Sequence, residues 1–373
     1  MLVQATIRLN VPPSRELIDT MVEFSKATQF AYNYAVKNKI RSWKILHQKT
    51  YRKIRAFSKL PSQLSCKAIK YALETKKGCR NRKVNFSKEL SIRYDHRSYS
   101  FDFSGICSLS TIYGRIRQTL YVPEYYLRTY RNWEIRSATL SKSGKHLSLN
   151  ITVTRNVDVA AHTSNNKVIG IDLGINNLAT TSEKQFFKGV KDKLANFQRL
   201  KSRLQSKGTA SARRHLKKLS GRQTRFMRSI NHEISKLIVS RANAGDIIVL
   251  EDLYGIRDKS KGRALNRLIS NWAFYQLKNF IEYKTLRKGA IFISIPSHHS
   301  SKTCSRCNET YTKRPKNAGF FKCLNCGYSC NADLNASLNL RGRTNVLRNV
   351  LGLLVNQPIV AEDYISLAAS PCF

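Results

Sequence analysis

Two Cys-x-x-Cys pairs, Cys304/Cys307 and Cys323/Cys326, are separated by fifteen residues, and Asp333 follows Cys326 by seven in the run Asn331-Ala332-Asp333-Leu334-Asn335-Ala336. Four thiolates at this spacing can close a tetrahedral Zn²⁺ site without help from the rest of the fold, so a structural zinc ribbon is expected over residues 300–330. Carboxylates and thiolates want different ions. The acid beside the ribbon therefore points to a second, harder metal such as Mg²⁺ or Mn²⁺, and Asp333 needs acidic partners elsewhere in the chain.

Those partners must be held rigidly, and two acids end short apolar runs that read as buried strands. Asp172 closes Val168-Ile169-Gly170-Ile171-Asp172-Leu173-Gly174, where a glycine can turn the chain, and Glu251 closes Ile247-Ile248-Val249-Leu250-Glu251-Asp252. Either acid alone reads as a turn cap. A set of three changes that reading. Adjacent strand residues point to opposite faces, so Glu251 and Asp252 cannot both face one site while the strand stays regular.

In order and spacing these motifs resemble the TnpB family: Gly170-Ile171-Asp172-Leu173-Gly174, then Leu250-Glu251-Asp252-Leu253, the two Cys pairs, and Asp333-Leu334-Asn335-Ala336. The family comprises transposon-encoded, RNA-guided nucleases similar to compact type V CRISPR effectors. The resemblance covers most of the chain, most specifically residues 168–340. It implies an α/β, ribonuclease-H-like (RuvC) nuclease core interrupted by a zinc ribbon, with Asp172, Glu251 and Asp333 as catalytic acids binding Mg²⁺ or Mn²⁺. It also implies a guide RNA and a target double-stranded DNA as partners, with sequence read mainly by base pairing.

Three departures from the family pattern bear on that site. Asn331 stands where many members carry a further acid. Asn308 stands after Cys307 in place of glycine, and asparagine is the next most tolerant residue for a left-handed turn. Gly327 keeps the expected turn after Cys326, while Cys330 is an extra thiol, read as packed rather than ligating. His298 and His299 read as polar loop residues, because four cysteines already complete the zinc site.

Composition narrows the partner independently. Lys and Arg number 66 against 23 Asp and Glu, a formal charge of +43 over 373 residues, which is tolerable mainly when polyanions neutralise it. No segment approaches the roughly twenty apolar residues of a membrane span, and the N-terminus lacks signal-peptide order, so a soluble protein of the bacterial or archaeal cytoplasm, associated with the nucleoid, is expected. Nine cysteines without a disulfide-scaffold pattern fit a reducing compartment. No glycine-rich phosphate loop is present, which argues against a helicase.

The densest charge lies between the first two acids: residues 191–230 hold thirteen Lys/Arg and one acid, Asp192. Leu194, Phe197 and Leu204, then Leu216, Leu219, Phe226, Met227 and Ile230, suggest two helices broken at 206–211, with apolar stripes on the core and phosphate-facing opposite sides. Arg213, Arg214, Lys217 and Lys218 are the candidate phosphate contacts there. Arg52 and Lys53 are candidates in an N-terminal helical block, where Trp43 and Tyr51 are open to base stacking or core packing alike. His232 reads either as approaching the site or as packed.

The expected domains are a wedge-like β-barrel from residues 1–9 and 86–154, interrupted by a helical recognition lobe over 10–85. A nuclease core over 168–343 carries the basic helical insert 191–240, and 344–373 is a tail without a motif. The function expected is RNA-guided cleavage of DNA beside a short flanking motif. The alternatives are a guide-dependent repressor that does not cut and an unguided structure-selective nuclease.

Overall fold

The computed structural model describes residues 2–79, 84–158, 166–253, 273–296, 300–310, 312–313 and 319–351. His298, His299, Cys372 and most of the tail lie outside the described residues. The chain divides into two units, residues 2–156 and 157–373. Among the described residues no helix is long and apolar enough to cross a membrane.

In the first unit, β1 (Leu2–Val11) pairs antiparallel with β7 (His146–Asn156), with Ile7 opposite Ile151 and Leu9 opposite Leu149. Alternation explains the strand: Val3, Ile7, Leu9 and Val11 are buried while their neighbours face outward. Ser14 accepts a hydrogen bond from the Leu17 amide and so caps the start of α1 (Arg15–Lys37). Helices α2 (Trp43–Phe57) and α3 (Ser62–Cys79) complete the helical block, burying Leu46, Ile54, Leu64, Ala68 and Ile69 alongside Leu17, Met21 and Phe24.

The barrel expectation needs correction in its pairing. Strands β2 (Ile92–Tyr94) and β6 (Glu134–Ser143) join β1 and β7 in the order β1-β7-β6-β2. By contrast β3 (Tyr99–Phe101), β4 (Ile106–Thr111) and β5 (Gly114–Thr119) form a separate three-stranded sheet. Between β5 and β6 lies α4 (Glu124–Tyr130), whose aromatic composition reads as strand. Pro123 at its N-cap, a residue that pre-sets φ without needing an amide partner, starts the helix. The β6–β7 hairpin turns at Gly144, whose φ is 60°.

The second unit is built on a five-stranded sheet in the order β10-β9-β8-β11-β12. Its strands are β8 (Val168–Asp172), β9 (Asn177–Thr181), β10 (Phe186–Lys188), β11 (Ile247–Asp252) and β12 (Ile291–Pro296). β8, β11 and β12 run parallel, whereas β9 and β10 are antiparallel additions on the β8 side. One face carries Ile169, Ile171, Ile248 and Leu250, packed with Ile234 and Ile238 of α6 (Ala210–Ser240) and Leu277 and Ile281 of α7 (Phe274–Arg287). The other face carries Val168, Val249 and Ile293 and packs with Leu340 of α8 (Ala332–Leu351).

Gly170 sets how closely α8 approaches. A Cβ there would stand 2.1 Å from the Ser337 carbonyl oxygen and 2.7 Å from the Arg341 amide nitrogen, so the helix backbone rests on the strand backbone. Backbone cannot swing aside as a side chain can. Gly170→Ala is therefore expected to destabilise the unit by about 1–3 kcal/mol or more, read as a lower thermal midpoint; an unchanged midpoint would show that α8 does not seat on β8.

The basic insert departs from the expected pattern. Helix α5 (Lys191–Lys207) has no buried residue at all; it lies along α6, with the Phe197 and Phe226 rings 6.1 Å apart. Gly208, in the left-handed region at φ 63°, ends α5, and the Thr209 side chain caps α6. Only α6 reaches the sheet, through Ile234, Ile238 and Val239. Spacing revealed an apolar stripe on α5, but a helix can bury that stripe against its partner alone.

Candidate active site and metal centre

Asp172 and Glu251 sit at the carboxyl ends of β8 and β11, adjacent parallel strands paired as far as Ile171 with Leu250. Ile171 and Leu250 face the α6–α7 side, so alternation turns Asp172 and Glu251 to the side covered by α8. Chain connections leave β8 toward β9 on one side, while β11 and β12 lie on the other. The acids thus occupy the switch point of an open sheet, where α/β folds form ligand crevices. Helix α8 brings the third acid in its first turn: Asp333, Ser337 and Leu340 share one face, and Ser337 already lies against Gly170.

Glu251 is only 7% exposed. Burial pushes its carboxyl up to about 7, the Leu173 amide hydrogen bond opposes that rise, and the nearby Asp333 charge adds to it. An exposed glutamate sits at 4.5. Without a divalent ion, Glu251 hence favours the fold most below that value, and the contribution is lost as pH rises through about 7. Glu251→Gln is expected to stabilise the protein at pH 8 without added Mg²⁺ or Mn²⁺ by up to about 3 kcal/mol. The melting temperature of the variant should also change less between pH 5.5 and 8 than that of the parent. A parent stability that rises through this interval relative to the variant contradicts the burial argument.

Two asparagines hold Asp333. Asn177 Nδ2 on β9 donates to Asp333 Oδ2 at 2.8 Å. Asn331 Oδ1 accepts from the amides of Asp333 and Leu334 at 2.9 and 3.2 Å, capping α8. The residue standing in place of the family's further acid thus has a helix-capping role. Asn177 was not singled out from sequence; it sits five residues after Asp172, and only the β8–β9 turn brings it to α8. Asp252 faces away, with Lys278 Nζ 3.1 Å from its Oδ1 and 2.9 Å from Ser294 Oγ.

The four cysteines converge on one point. Cys304 and Cys326 sulfurs are 3.7 Å apart and those of Cys307 and Cys323 3.6 Å, against about 3.8 Å for the edge of a tetrahedron with Zn–S bonds of about 2.3 Å. All four ligand atoms lie within 4.8 Å of one another, and they could hold a metal ion such as zinc. Among the described residues no other set of three or more His, Cys, Asp or Glu is this tight, so the three acids share a strand-end face without meeting the same criterion. Asn308 and Gly327 adopt φ of 60° and 68°, the left-handed turns expected after each pair. Amides of Cys326 and Asn325 donate to the Cys323 sulfur and draw its thiol down to about 7. Cys330 is not in the set; it packs against the ribbon.

The ribbon, comprising β13 (Thr312–Lys313), β14 (Phe320–Cys323) and β15 (Ser329–Asn331), is tied to α8 by two buried side chains. Asn335 accepts from the Ser305 amide at 3.0 Å and donates to the Thr303 carbonyl at 2.7 Å, and Asn339 donates to the Ser300 and Thr303 carbonyls, each at 2.7 Å. The first cysteine turn and the helix bearing Asp333 are consequently one hydrogen-bonded body.

Other candidates spread over the surface. Arg213, Arg214, Lys217 and Lys218 are exposed on α6. Arg52 and Lys53 are exposed on α2, where Trp43, His47 and Tyr51 form a ladder with ring centroids 5.0 and 4.7 Å apart. Trp43 is 42% exposed, which favours the stacking alternative over core packing. His232 is packed, its ring stacked on Phe280 at 3.9 Å.

Residues 146–254, which contain Asp172 and Glu251, match the family model OrfB_IS605, described as "Probable transposase". Residues 274–340, which contain the four cysteines and Asp333, match the Cas12f1-like TNB domain. Over these segments the chain is similar to TnpB-like proteins and to Cas12f1. It is 32% identical over 128 residues to a TnpB-like protein of Methanocaldococcus jannaschii, covering 34% of this chain and 45% of that one. It is 31% identical over 195 residues to the CRISPR-associated endodeoxyribonuclease Cas12f1 of Sulfoacidibacillus thermotolerans, covering 47% and 45%. The chain thus spans about half the length of these curated relatives. Its fold is similar to that of Cas12f1 in a solved Cas12f1, sgRNA and target DNA complex, with a TM-score of 0.59 at 15% identity over 88% of this chain and 81% of that one.

Proposed function

We propose that this protein is an RNA-guided DNA endonuclease with a ribonuclease-H-like core. What supports the reading is that Asp172 and Glu251 end adjacent parallel strands and that Asp333, on α8, is near enough for its charge to raise the Glu251 carboxyl. Asp172 and Glu251 would hold divalent ions from the strand ends, and Asp333 from above. Mg²⁺ or Mn²⁺ bound there would activate water and stabilise the departing 3′ oxygen of the cut strand. Asn177 and the Asn331 cap hold Asp333 in place, while burial of Glu251 disfavours its charged form, which a bound cation would favour. Zn²⁺ on the four cysteines would fix the ribbon from which α8 starts.

The charge of +43, and the exposed hairpin of α5 and α6, supply the surface for RNA and DNA. Residues 2–156 would act as the wedge and recognition lobe, with Arg52, Lys53 and Trp43 on an outer face.

The test is guide dependence. The protein purified from its host cell should carry a structured RNA and cut only duplexes matching it. Changing Arg213, Arg214, Lys217 and Lys218 together to Glu should weaken RNA binding and lower the salt slope of affinity by about 3. Equal cutting after complete RNA removal would favour the unguided nuclease; matched binding without cutting would favour the repressor.

A further inference from the structure

The basic face of α6 does not stop where the hairpin ends. At 3.6 residues per turn, Arg214, Lys218, Arg225, Arg228, His232 and Lys236 fall within roughly 80° of arc, one stripe along the whole helix. The last three lie where α6 packs beside α7. There α7 contributes Lys284, a half-buried cation whose Nζ donates to the His232 carbonyl at 2.7 Å and to Ser235 Oγ at 2.6 Å. An ammonium has three donors, and these two bonds leave one.

The surroundings of Lys284 are unusual for a partly buried charge. From α6 it faces His232, Ser235 and Lys236, with Arg228 near His232, and from its own helix Phe280, Tyr283 and Arg287. Among the described residues no carboxylate lies within ion-pairing distance of Lys284, Lys236 or Arg228. Buried charges are normally paired, and cations held together repel. The His232 ring stacks at 17° on Phe280 across the α6–α7 contact, beside the carbonyl that Lys284 reaches.

We propose that the seam between α6 and α7, where half-buried Lys284 lies beside exposed Arg228 and Lys236, is a seat for a phosphodiester group of bound nucleic acid. It would extend the hairpin's basic track onto the core, on the sheet face opposite the acids. The inference rests on the nucleic-acid reading above but names residues that reading does not need. Burial first, then Lys236 and Arg287, bring the Lys284 ammonium down to about 8, so a phosphate placed there must draw a proton back onto it.

The experiment uses the full chain, stripped of RNA by high salt, with two probes: an oligouridylate of about 20 nucleotides and a DNA duplex of about 20 base pairs. Affinity is measured from low to high salt, and proton uptake at pH 8 by calorimetry in two buffers of different ionisation enthalpy. Lys284→Met and Lys236→Met should each weaken one probe on the order of fivefold and lower its salt slope by about 1. The probe affected tells whether the seat takes RNA or DNA. The parent should take up protons on binding at pH 8, and Lys284→Met should lose that part of the uptake. Lys236 is exposed, so its variant carries the test even if Lys284→Met fails to fold. Unchanged affinity and slope in Lys236→Met, with both probes bound by the parent, overturns the seat alone. If the parent binds neither probe, the nucleic-acid reading itself falls.

Discussion

Asp333→Ala should leave guide RNA and matched duplex bound while cutting falls at least about a thousandfold, because losing one carboxylate misplaces an ion needed only in the transition state. Asp172→Ala and Glu251→Ala should behave alike. Asp252→Ala should be mild, since that side chain faces Lys278 on the other side of the sheet. The effects of the three acids should not add: a double variant should be little worse than either single one, as for any residues acting as a unit. Ca²⁺, larger and looser in coordination than Mg²⁺ or Mn²⁺, should support binding with poor cleavage. The measurement is single-turnover cleavage of a guide-matched duplex beside target binding on the same preparations. An Asp172→Ala protein that cuts at the parental rate would end the RuvC-like assignment.

Cys323→Ser should have the second large effect, through structure rather than chemistry. Structural zinc contributes apparent free energies on the order of 10 kcal/mol in small zinc domains, so losing one thiolate should release the ion and unfold the ribbon. Asn335 and Asn339 bind that ribbon to α8. Losing their carbonyl and amide partners should therefore loosen Asp333 as well. Elemental analysis of protein purified without chelator should find close to one zinc per chain in the parent and far less in the variant, with cleavage lost alongside. Zinc absent from the parent would refute the ribbon; zinc lost with cleavage intact would show that the link to α8 does not hold the acid.

The parts legible in sequence were those fixed by covalent neighbourhood. Cys-x-x-Cys spacing, the left-handed turns at Asn308 and Gly327, and the strands ending in Asp172 and Glu251 all depend on residues within a few positions of one another. Local sterics and ligand geometry determine them wherever the segment sits. The three acids were legible as a set because each ends or starts an element. How closely Asp333 approaches β8 depends on α8 resting on the bare backbone of Gly170, 163 positions before Asp333.

Tertiary packing alone decided the rest. Nothing in the run from Leu173 to Asn177 says that Asn177 will hold Asp333, because that needs the β9 turn and α8 at once. Asn331 looked like a missing charge until the helix it caps was in place. The stripe on α5 could as well have met the sheet as met α6, and aromatic residues 125–130 could as well have paired as a strand. Periodicity says which face of an element is apolar, never what covers it. Burial of Glu251 and the company of Lys284 are set by what covers each element, so the direction in which each group's protonation shifts emerged only when distant segments packed.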